Sequence, residues 1–498
     1  MSEYSKTDGK RSSISRRRFV TGVGVSGIAG LAGCASSSND GDGNANDNGT
    51  QAGDAGSSGS TTVTWGFDAT VVQDHADQVR DALHDEGGLS DDIQIEFEQG
   101  QPDSGKRRAN YNRLLSSQET KPDLFMMDNG WVNIFIQRGQ LANLSELLTE
   151  EMLSTIDEEY FSGFTETAID PSSGDLFGVP LYPDYPTMLY RKDLVEQAGY
   201  SPESENWATE PMTWKEWSNV AADTVDATDV EYGFTTQWDI YEGTACCTFN
   251  EVLSSWGGAY FGGRENLFGP VGDRPVTVDS QPVIDSLNMM RKFVHDEDFD
   301  KLQGYGGGFT PTEILGWIED GSLAPFLDGN ALFHRNWPYA INQAASEFGD
   351  DLGTMPIPYA VSESNAELPG TGGTTSALGG WHITVNPYSE KLDAVTQVIE
   401  ATMSEAFQLF LLEMEGWLPP RGSLFNSSEA ANIDPMGNYM ETLRVAGENT
   451  MARPVTSVWS DQSSNISQQA NRAVNQDVSS AEAMATLQSR LKQTESST

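Results

Sequence analysis

The residues of this chain whose types and spacing could do chemistry are aromatic rings set beside carboxylates and a few arginines, and that chemistry is binding. Trp65, Trp131, Tyr182, Tyr185, Trp256, Trp337, Tyr339, Trp381, Trp417 and Trp459 lie near Gly, Pro or predicted strand ends, where loops surround a cleft. About half are expected to pack in cores. The others, next to Asp and Arg, suit a neutral polyhydroxylated ligand. Ring faces pack on its C–H surface, while charged side chains make directional bonds to its hydroxyls, each netting about 1.5–3 kcal/mol. Bond-making chemistry has no comparable support. His75, His84, His295, His334 and His382 are scattered without ligand spacing, and neither a P-loop nor a Gly-x-Ser-x-Gly elbow occurs. With 74 Asp and Glu, paired carboxylates carry no information. No catalytic residue, metal site or cofactor is expected.

The elements that must position these rings follow from the pattern. Gly174 to Tyr200 reads as an apolar strand, a kink at Tyr182-Pro183-Asp184-Tyr185, a second apolar run, and a helix closed by Gly199. Rings and a carboxylate pinned by prolines are costly to bury, so this stretch is expected to cross between two lobes and leave a site at the crossing. Upstream, strands at Thr62–Phe67, Ile93–Phe97 and Asp123–Met127 alternate with helices at Val72–His84 and Arg107–Gln118. That alternation predicts a parallel sheet covered on both faces, with ligands beyond the carboxyl ends of its strands, where Asp128 stands. Thr213 and Glu216 form an expected capping box, and further helices are expected at Thr248–Trp256, Pro282–His295 and from about Gln462. The fold class is α/β.

Charge narrows the partners. A net charge of −45 over 498 residues argues against nucleic acid, which calls for clustered Lys and Arg. Together with scarce Lys, it is the composition expected of a protein adapted to very high salt, where carboxylates keep the surface hydrated.

At the N-terminus, Ser15-Arg16-Arg17-Arg18-Phe19-Val20 resembles a twin-arginine export motif, followed by a short apolar run. Leu31-Ala32-Gly33-Cys34 resembles a lipobox, which makes Cys34 the expected lipidated residue. Gly22, Gly24 and Gly27 match a dinucleotide fingerprint by letter only, inside the signal's apolar core. Residues 34–61, rich in Ser, Gly, Asn and Asp, are expected to be a tether. Cys246 and Cys247 are expected as two buried thiols, because adjacent cysteines seldom pair. Asn143, Asn426 and Asn465 occupy Asn-x-Ser sequons.

Several segments, in order, resemble the family-1 solute-binding proteins of ABC importers, specifically the maltose and trehalose type. They are Lys121–Asp128, Gly178–Asp184 with Leu189-Tyr-Arg-Lys-Asp-Leu194, Phe326–Ala340, Gly379–Asn386, Leu418-Pro-Pro-Arg421 and Arg453-Pro454-Val-Thr. The resemblance implies a two-lobed periplasmic-binding-protein-like fold (type II) whose lobes close on sugar about a hinge. It implies crossovers near Tyr182–Tyr185 and Gly380–Thr384. It divides the chain into a signal (1–33), a tether (34–61), an N-terminal lobe (62–182 plus 353–381) and a C-terminal lobe (183–352 plus 382–498). Ligand contacts carried over by position are Asp128, Tyr182, Asp184, Trp337, Gly380, Trp381 and Arg453, with Arg107 or Arg108 as the expected basic residue. Arg421 has packing as its alternative. Pro183 and Pro186 depart from the family pattern.

The implied function is a monomeric sugar receptor, no enzyme, exported by the twin-arginine route. It would be lipid-anchored outside the cytoplasmic membrane and deliver a di- or oligosaccharide to the permease's transmembrane subunits. The alternatives are the same fold binding a polyamine or glycerol-phosphate, or an exported glycosidase.

Overall fold

The computed structural model describes residues 60–496 except 103. The signal, Cys34 and all of the tether but its last two residues lie outside the described residues. Two sheets organise the rest. The first has the order β2-β1-β3-β10-β4, made by β1 (Thr61–Phe67), β2 (Ile93–Gln99), β3 (Leu124–Asp128), β10 (Gly379–Val385) and β4 (Gly178–Asp184). β1 runs parallel to β2 and β3, as strand–helix alternation predicts, while β10 is antiparallel to both β3 and β4. The second sheet has the order β6-β7-β5-β8, with β5 (Thr187–Arg191), β6 (Tyr232–Thr235), β7 (Ala331–Asn336) and β8 (Leu352–Met355). A short parallel pair joins β9 (Ser376–Ala377) to β11 (Thr450–Met451).

Each sheet owns a core. Val63, Trp65, Leu124, Val179 and Ile383 of the first are buried with Val79 and Leu83, which lie on one face of α2 (Ala76–Asp85). Met188, Phe234 and Phe333 of the second are buried with Trp214, Trp217 and Phe293. Thr213 and Glu216 do form the capping box that starts the helix Trp214–Ala227.

The prolines left over from the sequence pattern have a place. β4 is the outer strand of its sheet, pairing only with β10, and an edge strand tolerates Pro180 and Pro183 because one row of its backbone groups is not used in the ladder. Pro186 lies in the two-residue step from β4 to β5, where its carbonyl accepts a 2.8 Å bond from the Ser376 hydroxyl. The chain therefore crosses between sheets at residues 185–186.

The return crossing differs from the expectation. β8 belongs to the second sheet, and β10 runs unbroken through residue 381 in the first. The helices Leu392–Thr402 and Glu405–Glu415 also pack on the first sheet, through Val395, Ile399, Phe407 and Leu411. The sheets thus put the return at Leu378, between β9 and β10, rather than at Gly380–Thr384. The expected lobe bounds at 352/353 and 381/382 do not coincide with these changes of sheet. Beyond it, the helices Trp459–Val474 and Ser480–Glu495 pack into the second core through Ile466, Ala470, Met484 and Leu487.

Cys246 and Cys247 are both buried, but they are joined to each other rather than free. They sit on a π-helical turn, Thr244–Thr248, where the backbone departs from an ordinary helix. A bond between sequence neighbours closes almost no loop, so it contributes little through chain entropy.

Candidate functional site

Strand register builds the site. Trp381 lies opposite Asp128 on one side and opposite Tyr182 on the other. Directly opposed residues share a face of a sheet, so Asp128, Trp381 and Tyr182 form one row at the carboxyl end of β3. The next positions of β10 place Gly379 opposite Asp184 and Gly380 opposite Pro183. From the second sheet, Asn336 pairs with Thr187 at the start of β5, which brings Trp337 to the crossing. A Cβ on Gly379 would stand 2.5 Å from the Trp337 ring, so the absence of a side chain there lets the indole close on the first sheet. Gly380 has φ +120°, and a Cβ would come within 2.4 Å of the Tyr182 carbonyl oxygen. No other residue type fits that position without moving the strand.

Asp128 ends β3 and caps α4 (Asn129–Gln137), its carboxylate accepting a 2.8 Å bond from the Gly130 N–H. Arg453, two residues past β11, reaches it from the other side of the crossing. Its Nη1 lies 3.0 Å from Asp128 Oδ1, and its Nη2 donates to Asp128 Oδ2 at 3.2 Å and to Asn129 Oδ1 at 3.1 Å. Gly130 leaves room for this guanidinium, since a Cβ would meet Arg453 Cδ at 2.6 Å.

The two candidate arginines of α3 (Ser104–Ser116) separate into different roles. Arg107 is buried, pairs with Asp68 at 3.0 Å, and lies 4.8 Å from the Trp381 ring centroid. Arg108 instead pairs with Glu242 at 3.1 Å, in the segment between β6 and β7. Glu242 also lies 3.6 Å from Arg453. Arg108, Glu242, Arg453 and Asp128 thus form a chain of alternating charge joining the two lobes.

Among the rings singled out by sequence, Trp337, Tyr339 and Trp381 are half-exposed. Trp381 meets Trp131 edge-on at 5.4 Å. The others are buried. Tyr182, the buried member of the row, stacks on Trp417 at 4.2 Å, and Tyr185 packs edge-on against Phe161 in a core. Arg421 pairs with Glu159 and donates to the Met403 carbonyl at 2.9 Å, a packing role. Asp184 is half-buried; desolvation between the lobes pushes its carboxyl well above the usual carboxylate range, Arg335 drawing it back and Asp128 adding to the rise.

Sequence reasoning missed Asp68, Glu242, Glu251 and Glu319. Asp68 was findable, because it follows β1 and caps α1 (Ala69–Asp74) much as Asp128 follows β3 and caps α4. Nothing local marks Glu242 or Glu319, whose carboxyl is raised by burial and accepts a 2.9 Å bond from the Tyr241 hydroxyl. Among the described residues no group of three His, Cys, Asp or Glu is arranged to hold a metal ion.

Residues 90–408 match the family described as bacterial extracellular solute-binding protein. The chain belongs to this family. A Deinococcus radiodurans protein named "Probable ABC transporter-binding protein" is 24% identical over 71% of this solute-binding protein and 74% of its own length. The "Maltotriose-binding protein" of Pyrococcus abyssi is 22% identical over 69% of this chain and 63% of that protein. Maltose-bound MalE3 of T. maritima superposes with a TM-score of 0.71 at 23% identity, covering 87% of this chain and 99% of that one. The solute-binding protein therefore has the two-lobed α/β fold. Among its described residues no helix is long and apolar enough to cross a membrane.

Glu415, behind the row, gives the solute-binding protein a pH-dependent term. Burial raises its carboxyl to about 7, with His75 at 3.4 Å pulling down and Asp68 and Asp74 pushing up. Below its ordinary value of 4.5 the group is protonated folded or unfolded and costs nothing; above about 7 it is ionised in both and the burial penalty is complete. Stability from this group therefore falls as pH rises from 4.5 to 7. Glu415→Gln is expected to flatten that part of the profile, read as the difference between wild-type and variant urea-unfolding free energies across the range. Parallel profiles would show that Glu415 is solvated.

Proposed function

We propose that this protein is the sugar receptor of an ABC importer, capturing a di- or oligosaccharide at the Asp128–Trp381–Tyr182 row with Trp337 closing from the second lobe. It performs no chemistry and hands the sugar to the permease's transmembrane subunits. It acts as a monomer outside the cytoplasmic membrane, exported by the twin-arginine route and held by lipid on Cys34, in a very saline environment. The observation that carries the reading is the register. Two half-exposed indoles, a strand-end carboxylate and a buried arginine converge where the chain crosses between lobes, and ring faces beside charged donors and acceptors are what sugar hydroxyls and C–H surfaces require. Asp128, Asp184 and Arg453 bond hydroxyls, Trp337 and Trp381 stack on rings, Gly380 lets the strands approach, and Tyr182 and Arg107 hold Trp381 in place. Arg108 acts through Glu242 on lobe closure.

A thermal-shift screen of mono- and disaccharides in high salt tests this. The cognate sugar at about 100 times its dissociation constant is expected to add about 2.7 kcal/mol of stability by mass action. Absence of a shift with every sugar, together with a shift from spermidine or glycerol 3-phosphate, would overturn it.

A further inference from the structure

We propose that the solute-binding protein carries a second small-molecule site, in a cavity of about 730 Å³ on the second lobe, which takes a small neutral polyhydroxylated molecule. The cavity lies between β5, β8, the segment 201–209 and the segment 434–442, and none of its lining residues belongs to the row described above. The proposal does not rest on that row binding sugar.

The volume falls within the 300–1,000 Å³ or so of ordinary ligand pockets. It is also far larger than the roughly 30 Å³ a single water occupies. The walls carry polar groups that face the cavity. Tyr190 and Tyr439 both line the cavity and are only 3% and 8% exposed. Neither phenol hydroxyl is hydrogen-bonded to any other described residue, and neither is among the buried unpartnered side-chain atoms, so both oxygens open onto the cavity and are available to a ligand. Local structure puts Tyr190 there. β8 is the outer strand of its sheet, and Gly353 on it has no side chain, so the Tyr190 phenol lies across its backbone with the hydroxyl oxygen 2.6 Å from where a Cβ would stand. Tyr439 comes from the turn Met436–Tyr439 that leads into the helix Met440–Glu448.

Around these two hydroxyls the remaining groups are of the same kind. Trp207 supplies an apolar ring against Tyr190, with centroids 5.3 Å apart. Asn206 and Asn438, both exposed, line the cavity with side-chain amides that bond no other described residue. Buried ring surface, two free phenols and two free amides form a set that donates to and accepts from hydroxyl groups without a net charge. Glu203, Asp350, Asp434 and Glu441 outnumber Lys192 in the lining. In a chain with 74 acidic residues they do not argue for a cation, but they do exclude anions such as phosphates.

Glucose and trehalose are the probes, with site-counting by equilibrium dialysis on the full chain in high salt. Two variants act on the cavity. Tyr190→Phe with Tyr439→Phe keeps the rings and removes the hydroxyls, and Asn438→Trp adds a ring at an exposed lining position, with circular dichroism checking that each variant is folded. Both are expected to weaken one class of bound sugar at least tenfold, while Trp381→Ala leaves that class intact. Sugar binding lost only in Trp381→Ala, or no glucose or trehalose bound beyond the interlobe site up to about 10 mM, would overturn the second site. The reverse pattern, loss only in the cavity variants, would uphold it and overturn the interlobe reading.

Discussion

Replacing Glu251 with Ala is expected to lower the unfolding free energy by about 3–5 kcal/mol, the range for removing one partner of a buried ion pair. Glu251 and Arg335 are 1% and 2% exposed. Arg335 Nε donates to Glu251 Oε2 at 2.8 Å, its Nη2 pairs with Oε1, and its Nη1 donates to Gln237 at 2.9 Å. The same carboxylate accepts a 2.9 Å bond from the Ala377 N–H, one residue before the return crossing. It therefore ties β7, the helix Phe249–Ser255 and β9 together beneath Trp337, whose ring centroid lies 4.8 Å from the Arg335 guanidinium. Alanine would leave a desolvated guanidinium without a counter-charge and orphan a backbone donor beside the crossing. The measurement is urea unfolding of both forms in high salt, paired with Glu251→Leu/Arg335→Met. That double variant removes both charges and should recover much of the loss. A single-variant loss below about 1 kcal/mol would mean that water screens the pair.

How much of this was legible in the sequence depends on how far apart the interacting residues lie. β1 to β3, the helices between them and the Thr213–Glu216 cap depend on periodicity and neighbours a few positions away, and they fall where the pattern puts them. Asp128 was legible for the same reason, because a carboxylate directly after an apolar strand marks the strand end. The first crossing was legible from Pro and aromatic clustering. The return crossing was not: β10 joins the first sheet by pairing with β3 and β4, some 200–250 residues earlier in the chain, and nothing in Gly379–Val385 itself records that partnership. The tolerance of β4 for Pro180 and Pro183 was hidden likewise, since edge position is a property of the sheet. Glu242 is a further case. Its local sequence is an ordinary loop, and its meaning comes from Arg108, 134 positions away, and from Arg453. The Cys246–Cys247 bond was not legible because the expectation of free thiols rested on how seldom adjacent cysteines pair, which is a frequency and not a property of this turn.

Trp381→Ala is expected to weaken binding of the cognate sugar by at least 30-fold, a loss of about 2 kcal/mol or more, as for a ring anchoring a desolvated contact. Trp381 alone among the candidate residues is opposed in register by two others, Asp128 and Tyr182. Its ring is held on two sides, by Arg107 at 4.8 Å and by Trp131 edge-on at 5.4 Å. A half-exposed indole fixed in this way loses little further freedom when a sugar packs on it, so most of the contact energy appears as affinity. Truncation also removes packing, and stability must be read separately from affinity. Calorimetry should show the affinity loss at a temperature where circular dichroism shows both proteins fully folded. Trp381→Phe keeps an aromatic face and should recover part of the loss, which a merely structural gap would not predict for affinity. If calorimetry gives the same dissociation constant for wild type and Trp381→Ala, the row is scaffold, and the sugar contacts must lie on the Trp337 side of the crossing.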